Sequence, residues 1–139
     1  MISCIIPTRN RGDAFVRSLQ SCLDQTIDCE VVVSDHASSD GTRDYVMDLD
    51  DDRIVYVRQD ESINITWNWL LGFMASSGSH IKYFFDDDYL EPSCCETLLG
   101  LLQPGMTVAQ CGATFAWTGQ PVYNSYVPGS PIPAAGRSG

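Results

Sequence analysis

The sequence predicts an α/β domain, a mostly parallel sheet with helices on both faces. Two observations carry this expectation. Short β-prone runs alternate with segments of helical period, and the connections between them are short, as when crossover helices join parallel strands. A third is the run Val31-Val32-Val33. Unbroken β-branched residues of this kind suit a strand buried on both faces.

The elements follow in order. Ile2 to Ile6 is a β-prone run that Pro7 is expected to stop. Asp13 or a neighbour opens a helix in which Phe15, Leu19, Cys22 and Leu23 recur at i, i+4, i+7 and i+8. After the valine strand, the loop from Asp35 to Thr42 offers small polar side chains that can cap the next helix, Arg43 to Leu49. Ile54 to Val57 reads as a third strand. Asn64 to Ser76 reads as a helix with apolar Ile65, Trp69, Leu70, Phe73 and Met74, weakened by Gly72. Ile81 to Phe85 is a fourth strand. Glu91-Pro92-Ser93 starts a helix carrying Leu98, Leu99, Leu101 and Leu102, since proline is tolerated in the first turn, and Pro104-Gly105 ends it. A strand near Thr107 to Cys111 and a hairpin around Trp117 to Gln120 follow. Residues 1–127 are expected to form one domain, and Pro128 to Gly139 a loosely held tail rich in Pro, Gly, Ser and Ala.

Composition narrows the functions. A chain of 139 residues, 44% apolar and 19% charged, suits one soluble domain. A net charge of −10 repels nucleic-acid backbone and anionic lipid, so neither is an expected partner. The same charge means that a phosphate-bearing ligand would need a cation to screen the carboxylates. No apolar run is long enough to cross a bilayer, and Met1 to Ile6 lacks the basic start of a secretory signal. The cysteines at 4, 22, 29, 94, 95 and 111 contain no C-x-x-C pair. Spacing therefore favours reduced thiols in a cytoplasmic protein over disulfides or zinc.

In open parallel sheets ligands collect at the carboxyl ends of the strands. Polar groups stand at three such ends: Pro7-Thr8-Arg9-Asn10, Asp35-His36 and Asp86-Asp87-Asp88. Crowded carboxylates repel unless a cation separates them, and hard oxygen ligands suit Mg²⁺ or Mn²⁺; a solvated loop capping the next helix is the plainer alternative. Asp35 equally suits a turn or helix cap. His36 suits a surface loop. Of Trp67 and Trp69, helical spacing places one in the core and one outside. Arg9 and Arg11 lie where a phosphate or base could be met. Asp50-Asp51-Asp52, between a helix and a strand, reads as a solvated turn. The usual glycine-rich phosphate loops, the G-x-S-x-G elbow and H-E-x-x-H are absent.

Taken together, these segments resemble the family 2 glycosyltransferases of the GT-A fold. The stretch from Ser3 to Arg11 is similar to that family's first strand and its "PTYNR"-like turn. Val32 to Thr42 is similar to its "VVDDGSTDGT" segment, Asn68 and Gly72 to its "N-x-G" helix, and Phe84 to Asp88 with Pro92 to its D-x-D strand end. The resemblance runs from residue 3 to about 100 and implies a Rossmann-like sheet, truncated after the donor-binding half.

It further implies a nucleotide-diphosphate sugar as ligand, a UDP-sugar foremost, bound by Pro7, Thr8, Arg9, Asp35 and Asp86. Asp35 would accept a hydrogen bond from the base, and Asp86 would lie near the ribose. Asp87, with Asp88, would hold Mn²⁺ or Mg²⁺ and so assist the leaving group in inverting transfer to a hydroxyl acceptor, a saccharide. Three departures stand out. His36 replaces an aspartate, and Thr66-Trp67 stand where a basic residue often precedes the helix asparagine. The base that activates the acceptor is expected in a further domain or partner chain. A non-catalytic nucleotide-sugar-binding module is the alternative, and a receiver-like phosphoacceptor domain ranks last for want of acidic residues after the first strand.

Overall fold

The structure, a computed structural model, describes residues 1–61, 64–105 and 109. The chain divides into two compact units, Met1–Thr97 and Leu98–Gly139. The sheet and its strand-end loops belong to the first. The expected strand near 107–111, the hairpin near 117–120 and the tail from 128 lie outside the described residues. The order is β1 (Ile2–Thr8), α1 (Asp13–Leu23), β2 (Cys29–Asp35), α2 (Thr42–Asp48), β3 (Ile54–Arg58), α3 (Ile65–Ala75), β4 (His80–Tyr83) and α4 (Cys94–Leu101). The four strands form one sheet in the order β3-β2-β1-β4, every pair parallel. The α/β fold class expected from the alternating pattern is thus the one observed. No helix among the described residues is long and apolar enough to cross a membrane.

Pro7 does not stop β1, which continues to Thr8 and pairs with β2 as far as Thr8 opposite Asp35. The reason lies in which neighbour each residue faces. The Ile5 carbonyl accepts from the Phe84 amide, so Ile5 and Pro7 turn their backbone groups towards β4. Pairing with β4 ends at Ile5 opposite Tyr83. The missing N–H of Pro7 therefore falls where the ladder is already over, and it removes no bond.

The side chains of β1 alternate between two layers. Ile2, Cys4 and Ile6 join Cys29, Val31 and Val33 of β2 and Phe15, Leu19, Cys22 and Leu23 of α1 in one buried cluster. The expected core face of α1 is the one observed.

The other layer departs from the apolar pattern of α3. Its buried residues are Asn68 and Gly72, whereas Ile65, Trp67, Leu70, Phe73 and Met74 are exposed. Close approach explains this choice of face. A Cβ on Gly72 would stand 2.5 Å from Ile5 Cγ2 and 3.2 Å from Ser34 Cβ. Asn68 meets Ser34 from the same face: its Nδ2 donates to the Ser34 carbonyl (2.8 Å), and the Ser34 hydroxyl donates to the Asn68 carbonyl (2.7 Å). Trp69 is half-buried, stacked on Tyr83 at 5.1 Å and edge-on to Phe85 at 5.7 Å.

The last helix also begins later than its proline suggested. Pro92 lies ahead of α4, because the carbonyls of Glu91 and Pro92 accept from the Gln25 side chain (3.0 Å) and the Thr26 amide (2.8 Å). The turn expected at Asp50 to Asp52 lies slightly later, closed by the Ile54 amide on the Asp51 carbonyl (3.0 Å), with the Asp51 carboxylate held by the Arg53 guanidinium at 2.7 Å.

Gly72→Ala is expected to destabilise the 139-residue chain by about 1–3 kcal/mol, because the methyl group has no room over Ile5. Urea unfolding measures it. An unchanged midpoint would mean that α3 does not rest on the sheet through Gly72.

Candidate functional site

The carboxyl ends of β1, β2, β3 and β4 bring four loops to one edge of the sheet. Two of these loops are laced together. The Asn10 amide donates to Ser38 Oγ (3.0 Å), the Ser39 amide to Asn10 Oδ1 (2.7 Å), and the Gly12 amide to Asp40 Oδ2 (2.9 Å). Asn10 and Ala37 have φ of 51° and 58°. L-residues adopt that region at a cost, which the cross-loop hydrogen bonds offset. Asp40 also accepts from the Thr42 amide (3.2 Å) and hydroxyl (2.6 Å) at the start of α2. Asp40 thus does the capping that the small polar loop promised.

Asp35 ends β2 with no solvent exposure. Its Oδ1 accepts from the Ser38 amide at 2.8 Å. Its Oδ2 accepts from the Tyr56 hydroxyl at 2.5 Å and from the Arg58 guanidinium at 2.6 Å. Burial alone would raise its pKa. The hydrogen bonds from Ser38, Tyr56 and Arg58 outweigh burial and hold the carboxyl below its ordinary value. Tyr56 answers in kind: burial and the adjacent carboxylate push its phenol up to about 12, so it remains a donor. A ligand N–H would reach Asp35 only if the residues that seal it from solvent moved aside.

The acidic run after β4 is met by a cation from the β1 loop. Arg11 Nε lies 3.2 Å from Asp86 Oδ1, and its terminal nitrogen 3.8 Å from Asp87 Oδ2. Asp86 is buried, and Asp87 is about half exposed. Asp88 takes the Ser18 hydroxyl on its backbone carbonyl, which ties the run to α1. Burial, then repulsion from Asp87, raises the pKa of its carboxyl. Among the described residues, Asp86, Asp87 and Asp88 do not form a three-ligand cage of their own. Oxygen donors of this kind fit a hard divalent cation that draws its remaining ligands from phosphate and water.

Of the other residues singled out in the sequence, Thr8 is buried at the end of β1, Pro7 is half-buried beside it and Arg9 is exposed in the following turn. His36, expected at the surface, is only 6% exposed. Its amide donates to the Thr8 carbonyl (2.9 Å), which continues the sheet ladder by one step and draws the ring inward. Thr8 Oγ1, His36 Nε2 and Gln59 Oε1 are buried without a hydrogen-bond partner among the described residues. Such groups are uncommon away from functional sites, and these three stand at the ends of consecutive strands of the sheet.

No sequence motif pointed to the end of β3, which supplies Tyr56, Arg58 and Gln59. A polar side chain closing an apolar run, as Arg58 closes Ile54 to Val57, was the available signal.

A match to the family described as Glycosyl transferase family 2 spans residues 3–130. The chain belongs to this family. It is 35% identical over 102 residues to the GalNAc(5)-diNAcBac-PP-undecaprenol beta-1,3-glucosyltransferase of Campylobacter jejuni, covering 70% of this chain and 33% of that protein. It is 45% identical over 65 residues to the validoxylamine A glucosyltransferase of Streptomyces hygroscopicus, covering 44% of this chain and 15% of that protein. The chain therefore spans a third or less of the length of these relatives.

Solved structures share the fold. S. aureus TarS 1-349 in complex with UDP-GlcNAc has a TM-score of 0.66 at 20% identity, over 72% of this chain and 30% of that one. A mannosyltransferase from Pyrobaculum calidifontis, in complex with GDP-Man and Mn²⁺, has a TM-score of 0.58 at 23% identity, over 63% of this chain and 28% of that one. The GT-A type of sheet expected from the resemblance is the one these neighbours share.

Replacing Asp35 by Asn is expected to destabilise the chain by about 3 kcal/mol, since Arg58 and Tyr56 lose the charge that they answer. The folded pKa of Asp35 is depressed, so its contribution is present above the ordinary value of 3.8 and lost as pH falls through the folded pKa. The stability gap between wild type and Asp35→Asn should accordingly be widest near neutrality and close in acid. A gap that does not change with pH would show that Asp35 is not held as a carboxylate.

Proposed function

We propose that this chain is the donor-binding part of a glycosyltransferase. It would take a nucleotide-diphosphate sugar, a UDP-sugar foremost, at the carboxyl edge of its sheet. The observation that carries the reading is the meeting there of Arg11, Asp86 and Asp87 with the unsatisfied polar atoms of Thr8, His36 and Gln59. The acidic groups suit a cation-bridged diphosphate, and the unsatisfied ones suit a polar ligand. Family membership supports it, as do the UDP-GlcNAc and GDP-Man complexes of proteins with this fold.

In this reading Pro7, Thr8 and Arg9 line the nucleotide, with Asp86 at the ribose. Asp35 either meets the base in place of Tyr56 or holds the loop that does. Asp87, with Asp88, would hold Mn²⁺ or Mg²⁺, and the cation would offset the charge developing on the departing nucleotide diphosphate. Arg11 neutralises Asp86 and Asp87, and with a cation held there its guanidinium would be free to meet the phosphates. A complete inverting reaction also needs a base for the acceptor hydroxyl. A segment or partner beyond these 139 residues would supply that base and bind the acceptor, a saccharide like the one named for the Campylobacter relative.

Calorimetric titration with UDP, with and without Mn²⁺, tests the reading on wild type and Asp87→Ala. Binding that needs the metal, and weakens at least about tenfold in the variant, is the expected outcome; a tenfold change is about 1.4 kcal/mol. If neither UDP nor GDP binds under either condition, the donor-site reading fails and the fold alone remains. His36→Ala gives an independent check. It should weaken UDP binding, while the urea midpoint falls only by the packing of the buried ring, since His36 Nε2 has no protein partner to lose among the described residues.

A further inference from the structure

The sulfur atoms of Cys4, Cys29 and Cys95 all lie within 4.8 Å of one another, and all three residues are buried. They come from β1, β2 and the first turn of α4, so 91 residues of chain separate the first from the last. Cys4 and Cys95 Sγ are 3.7 Å apart. Cys22 of α1, also buried, borders Cys4. Ordinary packing asks only that thiols be buried. It does not ask that three sulfurs from three elements converge on one point.

We propose that Cys4, Cys29 and Cys95, with Cys22 at hand as a fourth ligand, bind one zinc ion that clips β1, β2 and α4 together. Bonds of about 2.3 Å at tetrahedral angles set zinc-bound sulfurs about 3.8 Å apart, so Cys4, Cys29 and Cys95 need only a small contraction to accept the ion, and Cys22 must swing in to complete the tetrahedron. The surroundings of Cys95 are already fixed. The Cys95 amide donates to Gln25 Oε1 (2.9 Å), and Gln25 Nε2 donates in turn to the carbonyls of Ser21 (2.9 Å) and Glu91 (3.0 Å). Outer contacts such as those of Cys95 orient metal ligands. Cys29 Sγ donates to the Ile27 carbonyl at 3.5 Å, a bond that it gives up when the ion displaces its proton.

On binding, the thiols of Cys4, Cys29, Cys95 and Cys22 give four protons to solvent, and Zn²⁺ takes their place with a net charge of −2. The site is separate from Asp87 in its donors, soft sulfur against hard oxygen.

The test uses the 139-residue chain, reduced and freed of metal by chelation, titrated with Co²⁺ and then Zn²⁺. One Co²⁺ per chain should produce a thiolate-to-cobalt charge-transfer band in the near ultraviolet, which one Zn²⁺ abolishes. Zinc should also raise the thermal unfolding midpoint. Asp87→Ala should keep the band, whereas Cys29→Ala and Cys95→Ala should each weaken cobalt binding about 100-fold or more. The wild-type titration decides the matter even if those variants fail to fold. Absence of the band, its persistence in both cysteine variants, or a midpoint lowered by zinc would each overturn the proposal.

Discussion

A carboxylate sealed from water must find donors, and much of this domain's functional edge depends on how Asp35 finds them. Its charge is stable in the interior only because Ser38 turns back towards it and because Tyr56 and Arg58 reach it from the neighbouring strand. The first contact folds the β2–α2 loop into the turn that carries Ala37 through a positive φ. The other two pin the end of β3 beside the end of β2. Removing the charge would leave a half-buried guanidinium and a half-buried phenol without their acceptor, a larger loss than the bond itself suggests.

From that anchor the rest of the edge is assembled by short-range chemistry. Ser38 and Ser39, positioned by the same turn, hold Asn10 of the first loop. Asp40 takes the Gly12 amide and the start of α2. The first loop, fixed in this way, delivers Arg11 to Asp86 and Asp87. Two strained loops and an acidic run therefore support one another, and strain of this kind persists where the surroundings over-determine it. On the opposite layer the close seat of Gly72 on Ile5 turns the apolar side chains of α3 outward.

Some of this was legible in the residues. The strand runs, the core face of α1 and the polar strand ends at Thr8, Asp35 and Asp86 follow from period and from the chemistry of loop residues. The inward seat of His36 was not legible, because it depends on a ladder bond to Thr8 that no local pattern announces. The outward turn of α3 was hidden for a related reason. Its composition is apolar nearly all round, so the buried face was chosen by the closeness that Gly72 permits and by the hydrogen bonds of Asn68 to Ser34. Tyr56 and Arg58 were passed over because their partner stands on another strand.

By itself the sequence determined the alternation of strands and helices, the parallel sheet that such alternation implies and the loops that would carry polar groups, because these depend on periodicity and on contacts between near neighbours. Only the tertiary structure decided that Asp35 is a buried, fully answered carboxylate, that Arg11 bridges Asp86 and Asp87, and that Cys4, Cys29 and Cys95 share one point. Each of these joins residues from different elements. Spacing along the chain carries no record of such meetings until the sheet brings the elements together.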